Sequence, residues 1–184
     1  MNTDNIKRGT DTEQAGDTAE SSATLSDAER IRALRKRGQH QAAKKLAEET
    51  ARLKPQDAEL QYEAACVHDY LGLGAAAIPF YQAALAGILP EALQRGAYLG
   101  LCSSYRARGR YDEALALINE ALSRFPDASA LKVFRAIVLY NLQDNKQAMA
   151  TLLEVLVQTA IDPEIREYER AILLYAKDLD RQWF

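Results

Sequence analysis

Length and composition favour a single folded domain in this chain of 184 residues, of which 48% are hydrophobic and 27% charged. Two cysteines are too few for a disulfide framework and fit a reducing cytosol. The longest apolar run, residues 75–89, is too short to span a bilayer, and residues 2–24 contain no apolar signal-peptide region. These features argue against a disulfide-stapled secreted domain and a membrane-spanning protein, so we expect a soluble protein of the cytoplasm.

The net charge of −3 divides unevenly along the chain. Residues 1–24 carry −3 among Ser, Thr, Asn, Gln and Gly. Such a stretch cannot bury enough apolar area to offset the entropy lost on ordering, so we expect a disordered acidic tail. Residues 25–57 carry +4 and residues 58–184 carry −4. The folded domain is therefore expected over residues 25–184.

Residues 98–126 predict two helices joined by a tight turn. Apolar residues on the first helix recur at spacings of three, one and three, which places them on one face: Tyr98, Leu101, Cys102 and Tyr105. The second helix carries a stripe of the same kind: Ala114, Leu117, Ile118, Ala121 and Leu122. Gly109 lies where a helix C-cap adopts a positive φ, and Pro126 ends the second helix.

This hairpin resembles a tetratricopeptide repeat (TPR), in which W-x2-L-G-x2-Y is followed by A-x3-F and P over 34 residues. The matching residues are Tyr98, Leu101, Cys102, Tyr105, Ala114, Ile118 and Pro126. The turn residue recurs at intervals of 34, 37 and 34, as Gly38, Gly72, Gly109 and Gln143. The small residue five places later keeps the same intervals, as Ala43, Ala77, Ala114 and Ala148. We interpret the chain as a small TPR protein of the bacterial type.

In chain order, the period predicts four hairpins over residues 25–57, 58–90, 91–127 and 128–160, then a capping helix over 163–182. Nine helices and no strands are expected. A capping box of Ser26 and Glu29 begins the first helix. The other predicted N-caps are Asp57, Asp127 and Asp162. Three extra residues near Pro90 predict a lengthened first helix in the third hairpin.

Two positions depart from the regular pattern. Pro79 lies near the start of a helix, where we expect a mild bend. Gln143-Asp144-Asn145 replaces the glycine turn, and we expect a different turn there.

The resemblance implies an all-α, right-handed superhelical α-solenoid whose first helices line a concave groove. Residues at the groove positions are Tyr62, Cys66, Asp69, Tyr70, Leu99, Ser103, Arg106, Val133, Ile137, Tyr140 and Asn141. Tyrosine offers a large rigid contact area with a hydrogen-bonding tip, which suits a peptide or a helix of another protein. We therefore predict a scaffold for protein–protein interaction.

Some TPR domains hold the acidic C-terminus of a chaperone in a clamp of Lys, Asn and Arg. The corresponding places here are Glu29, Arg32, Glu63, Cys66, Gly96 and Gly100. Arg32 is the sole cation and no Asn is present, so we do not expect this clamp.

No catalytic, metal or cofactor motif is evident. His40 and His68 are the only histidines, and Cys66 and His68 point in nearly opposite directions on a helix, so they cannot share a metal. Cys102 fits a buried thiol. There is no phosphate-binding glycine loop or nucleophile elbow, and we predict a protein that is not an enzyme and needs no cofactor.

Two other partners stay open. A basic run in the first hairpin could bind nucleic acid or an acidic surface: Arg30, Arg32, Arg35, Lys36, Arg37, Lys44 and Lys45. It lacks interleaved aromatics, so a solvated face is the favoured interpretation and nucleic acid is not expected. Self-association could use Trp183-Phe184 and the closing helix.

Overall fold

A computed structural model describes residues 25–182 and shows ten α-helices and no strand within them. Their bounds are α1 Asp27–Lys36, α2 His40–Leu53, α3 Ala58–Tyr70, α4 Gly74–Ala86, α5 Glu91–Ala107, α6 Tyr111–Arg124, α7 Ser129–Asn141, α8 Asn145–Thr159, α9 Pro163–Glu167 and α10 Glu169–Lys177. The helices α1–α8 form four hairpins that pack one after another in chain order. The predicted all-α architecture is confirmed. The predicted disordered tail, residues 1–24, and Trp183-Phe184 lie outside the described residues.

Side-chain caps begin several helices as the sequence predicts. In the Ser26 capping box, the Glu29 amide donates to Ser26 Oγ over 3.2 Å and the Ser26 amide donates to Glu29 Oε2 over 2.8 Å. Asp57 and Asp162 cap α3 and α9 in the predicted way. The prediction for Asp127 was wrong, because α7 begins after Ala128 and has no side-chain cap.

All four hairpin turns share one geometry. Gly38, Gly72 and Gly109 have φ of 72–75°, and Gln143 has φ of 66°. In each turn the amide of the following residue donates to a carbonyl five residues earlier over 2.8–3.0 Å, as Asp144 does to Leu139. The prediction of a different turn at Gln143 was therefore wrong, since glutamine adopts the left-handed conformation that glycine adopts in the other three.

The first helix of the third hairpin is lengthened as predicted, and the proline-containing helix is not broken at Pro79. The helix α5 has 17 residues, whereas α3 and α7 have 13 each. Pro79 lies inside α4, which continues to Ala86. Its missing amide removes one hydrogen bond near the start of the helix without ending it.

Small residues allow the helices to approach closely. Ala43, Ala77 and Ala114 are fully buried where the two helices of a hairpin meet. On α5, Gly96 and Gly100 leave room for two tyrosine rings of the preceding hairpin, because a Cβ at Gly96 would overlap Tyr62 and one at Gly100 would overlap Tyr81. These glycines set how closely the second and third hairpins pack.

The closing helix differs from its prediction. It is divided at Tyr168 into α9 and α10 and ends at Lys177 rather than at 182, so the described chain has ten helices instead of nine. The helix α10 packs against α8, and Ala176 is its one buried residue within the described chain. None of the helices in residues 25–182 combines the length and the apolar character needed to cross a bilayer.

Candidate binding groove

The first helices of the four hairpins lie side by side, since α1 packs against α3, α3 against α5, and α5 against α7. The predicted groove residues come from three of these helices, α3, α5 and α7. They divide into residues that join neighbouring hairpins and residues that remain accessible.

At the amino end, a buried carboxylate binds two arginines across the first and second hairpins. Glu63 has no exposed surface. Its Oε1 accepts from Arg32 Nε over 2.6 Å, and its Oε2 accepts from Arg35 Nη2 over 3.0 Å. The hydrogen bond to Glu63 raises the pKa of the Arg32 guanidinium. Two cations of the basic run therefore act as a structural pair with an acid rather than as a solvated face.

In the centre, Asp69 and Tyr62 pack between the second and third hairpins. Tyr81 Oη donates to Asp69 Oδ2 over 2.8 Å, and Ser104 Oγ donates to Asp69 Oδ1 over 3.0 Å. Burial raises the pKa of Asp69, and the two hydrogen bonds oppose that shift. Tyr62 is half-buried with its ring against Gly96. These two side chains therefore join the second hairpin to the third. Gly96 and Gly100 were the sequence signal for this close packing, since glycine in a helix leaves room for a neighbouring side chain.

Cys66 lies beside these residues and is largely shielded from solvent. Burial raises the pKa of its thiol, and burial also raises the pKa of Cys102 to about 11. Both thiols are free. A raised pKa favours the protonated, weakly nucleophilic form of each thiol at neutral pH.

Accessible side chains continue along α3 and α5. Tyr70 is 66% exposed, and its ring stacks on that of His40 with ring centroids 3.8 Å apart. Leu99 and Ser103 are partly exposed on α5. Arg106 Nη1 donates to Asn141 Oδ1 over 3.3 Å, which joins α5 to α7 along this surface.

At the carboxyl end, the α7 residues Ile137 and Tyr140 line an apolar pocket. The pocket has a volume of about 290 Å³ and also includes Met149 and Leu152 of α8. Val133 is partly buried one turn earlier. The residues from α8 were not among the predicted site residues, because their positions are interior ones in the preceding hairpins.

The comparisons with known proteins identify the fold. A family model described as tetratrico peptide repeat matches residues 58–179. The chain belongs to the tetratricopeptide repeat family. The crystal structure of TTC0263, a thermophilic TPR protein of Thermus thermophilus, is similar with a TM-score of 0.57 and 25% identity, covering 84% of this chain and 83% of that one. Among curated proteins, none matches the chain.

The TPR match begins at the first residue of α3, so the first hairpin lies outside it. TPR domains are generally non-catalytic scaffolds that bind other proteins. In residues 25–182 no group of three or more His, Cys, Asp or Glu side chains is placed to hold a metal ion. His68 is buried, and its Nδ1 lies 2.8 Å from the Ala64 carbonyl oxygen. Its ring packs on Phe80, so this histidine is part of the core.

Proposed function

We propose that this TPR chain is a non-catalytic scaffold that holds a peptide or helix of another protein along the inner surface of α3, α5 and α7. The observation that carries the proposal is a row of accessible side chains on three successive first helices: Tyr70, Arg106 and Tyr140. Tyr140 is 63% exposed, much like Tyr70. Large aromatic side chains left accessible on a rigid frame are favourable anchors for a partner.

The chemistry of this row indicates the kind of segment that fits it. Tyrosine rings at both ends favour apolar or aromatic side chains of the ligand. Arg106, oriented by Asn141, offers further guanidinium N–H groups to a backbone carbonyl or a carboxylate. We therefore propose a segment with apolar side chains on either side of a hydrogen-bond acceptor.

Peptide display tests this proposal even though the partner has not been identified. Random peptides selected on the wild-type chain should lose at least about tenfold in affinity for the Tyr70→Ala/Tyr140→Ala variant, measured by fluorescence anisotropy. Tyr168→Ala is the matched control, because Tyr168 is exposed on the closing segment, outside the groove. Equal binding of the selected peptides to the double variant would contradict the groove assignment.

The alternative proposal is an electrostatic binder of nucleic acid or an acidic surface through the first hairpin. It rests on cations that remain exposed, among them Lys36, Arg37 and Lys45. Against it, Arg32 and Arg35 bind Glu63. A salt titration with a single-stranded oligonucleotide separates the two proposals, because phosphate contacts lose affinity steeply with salt and an apolar groove does not.

We also propose a cytoplasmic location. Two thiols that are both free suit a reducing compartment. Fractionation of cells of the source organism, with immunodetection of the chain in each fraction, tests this location.

A further inference from the structure

Each hairpin presents a row of side chains to the hairpin that follows. Equivalent residues lie 37 positions apart between the second and third hairpins and 34 apart between the third and fourth. In α4 this row includes Ile78 and Tyr81, which are buried under α5. In α6 the equivalents are Leu115, which is partly buried, and Ile118, which is fully buried.

The same row is open in the fourth hairpin. The equivalents on α8 are Met149 and Leu152, with 49% and 38% of their surface exposed. On α7, Tyr140 is equivalent to Asp69, which Ser104 of α5 covers in the second hairpin. The helix α10 lies on another flank of α8, near Ala150, and leaves these side chains exposed.

The side chains of this row are too apolar for an end surface that faces water. The last repeat of a solenoid needs a polar outer face to stay soluble. Here the open row is Ile137, Tyr140, Met149 and Leu152, four of the seven residues that line the 290 Å³ pocket. Ten of the fifteen large exposed hydrophobic residues of the described chain lie between residues 137 and 179, so the apolar surface is concentrated at this end.

The opposite end of the stack has a different character. On α1, the residue equivalent to Gly100 is Glu29, and its neighbours Arg30, Lys36 and Arg37 are exposed. Docking this face of another copy against the apolar row would remove charged side chains, Glu29 and Arg30 among them, from water, which is costly because the row offers them no charged partner. Head-to-tail stacking is therefore disfavoured, whereas two apolar carboxyl ends match each other in a two-fold arrangement.

We infer that Ile137, Tyr140, Met149 and Leu152 form an interface through which two copies of this chain associate, carboxyl end to carboxyl end. The inference goes beyond the proposed groove function and does not rest on it, but Tyr140 belongs to both surfaces, so a dimer would cover the carboxyl end of the groove. The interface takes the place that a next first helix would fill in a longer stack.

Light scattering coupled to size exclusion, with the full chain loaded from about 1 to about 200 µM, tests the inference. The wild type should reach twice the monomer mass at the upper concentrations. Leu152→Glu should raise the dissociation constant at least about tenfold, because it places a carboxylate in the paired apolar surface. Ile88→Glu is the matched control, since Ile88 is 95% exposed in the loop before α5 and should leave the mass unchanged.

Three outcomes would overturn the inference: a monomer mass at every concentration, a ladder of larger species that indicates head-to-tail growth, or a Leu152→Glu variant that remains dimeric. A fourth outcome comes from a truncated variant that lacks Trp183-Phe184. If removal of these residues converts a monomeric wild type into a dimer, the pocket is occupied by the chain's own end. Circular dichroism confirms that Leu152→Glu is folded. Tyr70→Ala separates this test from that of the groove, because Tyr70 lies outside the pocket: it should weaken peptide binding and leave the dimer mass unchanged.

Discussion

Two residues carry backbone or electrostatic strain that can be measured directly. Gln143 adopts a left-handed conformation that glycine adopts at the three equivalent turns. Asp69 is a partly buried carboxylate whose two hydrogen-bond donors offset only part of its loss of hydration. In both cases the surrounding hairpins keep the residue in an unfavourable state.

Replacing Gln143 with glycine should stabilise the protein. A residue with a side chain in the left-handed region destabilises the folded state by about 1–2 kcal/mol, and glycine removes this cost. Glycine also gives the unfolded chain more conformational entropy, which offsets part of the gain. We expect the free energy of unfolding of Gln143→Gly, measured in urea, to rise by about 0.5–1 kcal/mol. The reverse change at an equivalent turn, Gly109→Gln, should lower it, and equal stability of the two variants would contradict this account.

The carboxylate of Asp69 should make stability fall as pH rises. Its pKa in the folded chain lies above the ordinary value of 3.8, so the folded state binds the proton more tightly than the unfolded state. That contribution is complete below the unfolded pKa and is lost as pH rises through the folded pKa. The free energy of unfolding of Asp69→Asn, relative to wild type, should therefore improve as pH increases from about 3 to 6.

An exposed carboxylate with the opposite shift provides the control. The ion pair with Arg110 lowers the pKa of Glu113, so Glu113 stabilises the fold above its unfolded pKa and loses that contribution as pH falls. The free energy of unfolding of Glu113→Gln, relative to wild type, should therefore fall as pH increases. Parallel pH profiles for the two variants would show that burial of Asp69 is not the cause.

At the scale of elements, α5 is the helix on which the packing of the second and third hairpins depends. Its glycines at positions 96 and 100 are one helical turn apart and face two tyrosines of the preceding hairpin. Glycine in a helix interior lowers helix stability relative to alanine, so close approach is the physical reason for these residues.

Gly100→Ala should destabilise the protein even though alanine is the better helix former. The added methyl would overlap the buried Tyr81 ring, and overpacking of this kind costs about 1–3 kcal/mol. Gly74→Ala is the control, because its Cβ would meet only Asp69 Oδ1 at 3.6 Å and Ser104 Oγ at 3.7 Å, which are ordinary contacts. Thermal unfolding of both variants distinguishes steric overlap from helix propensity.

The sequence predicts the helices well because their period, caps and turns are local. Ser26, Asp57 and Asp162 cap helices as their side-chain chemistry indicates. The break at Tyr168 was missed, because an apolar stripe identifies the face of a helix and continues unchanged across a short interruption of the backbone.

The site was harder to predict because it depends on distances between helices. The pairing of Glu63 with Arg32 and Arg35 joins residues 28 and 31 positions apart, and no spacing within one helix indicates it. Tyr62 and Asp69 were placed in the groove by position, yet the room left by Gly96 and the reach of Ser104 bring them between hairpins. The peptide-binding role of Tyr70, Arg106 and Tyr140 stays a prediction.

At the scale of the whole molecule, the hydrophobic core is uneven. The cluster that holds the first hairpin is rich in alanine, with Ala43, Ala47 and Ala51 at its centre. The larger cluster of the following hairpins contains buried aromatic residues, including Tyr81, Tyr98 and Phe125. Larger side chains bury more apolar area and stabilise their region more strongly.

The first hairpin should therefore open before the rest. In a solenoid each repeat contacts only its neighbours, so an end repeat can unfold separately. We expect native-state hydrogen exchange to show amides of α1 and α2 opening at least about tenfold more often than those of α5 and α6. Uniform protection of both pairs would indicate that the ion pairs of Glu63 couple the first hairpin fully to the second.

The common geometry of the four turns means that the turn inside a hairpin does not mark the last unit of the series. The junction after Thr159 differs from earlier ones, since Ala160 has φ of −64° and ψ of 129° where Lys54 and Phe125, at the ends of α2 and α6, have φ of −127° and −129° and ψ of 63° and 67°. A fifth unit would therefore need a new backbone conformation after α8 as well as side chains that cover the row on α7 and α8.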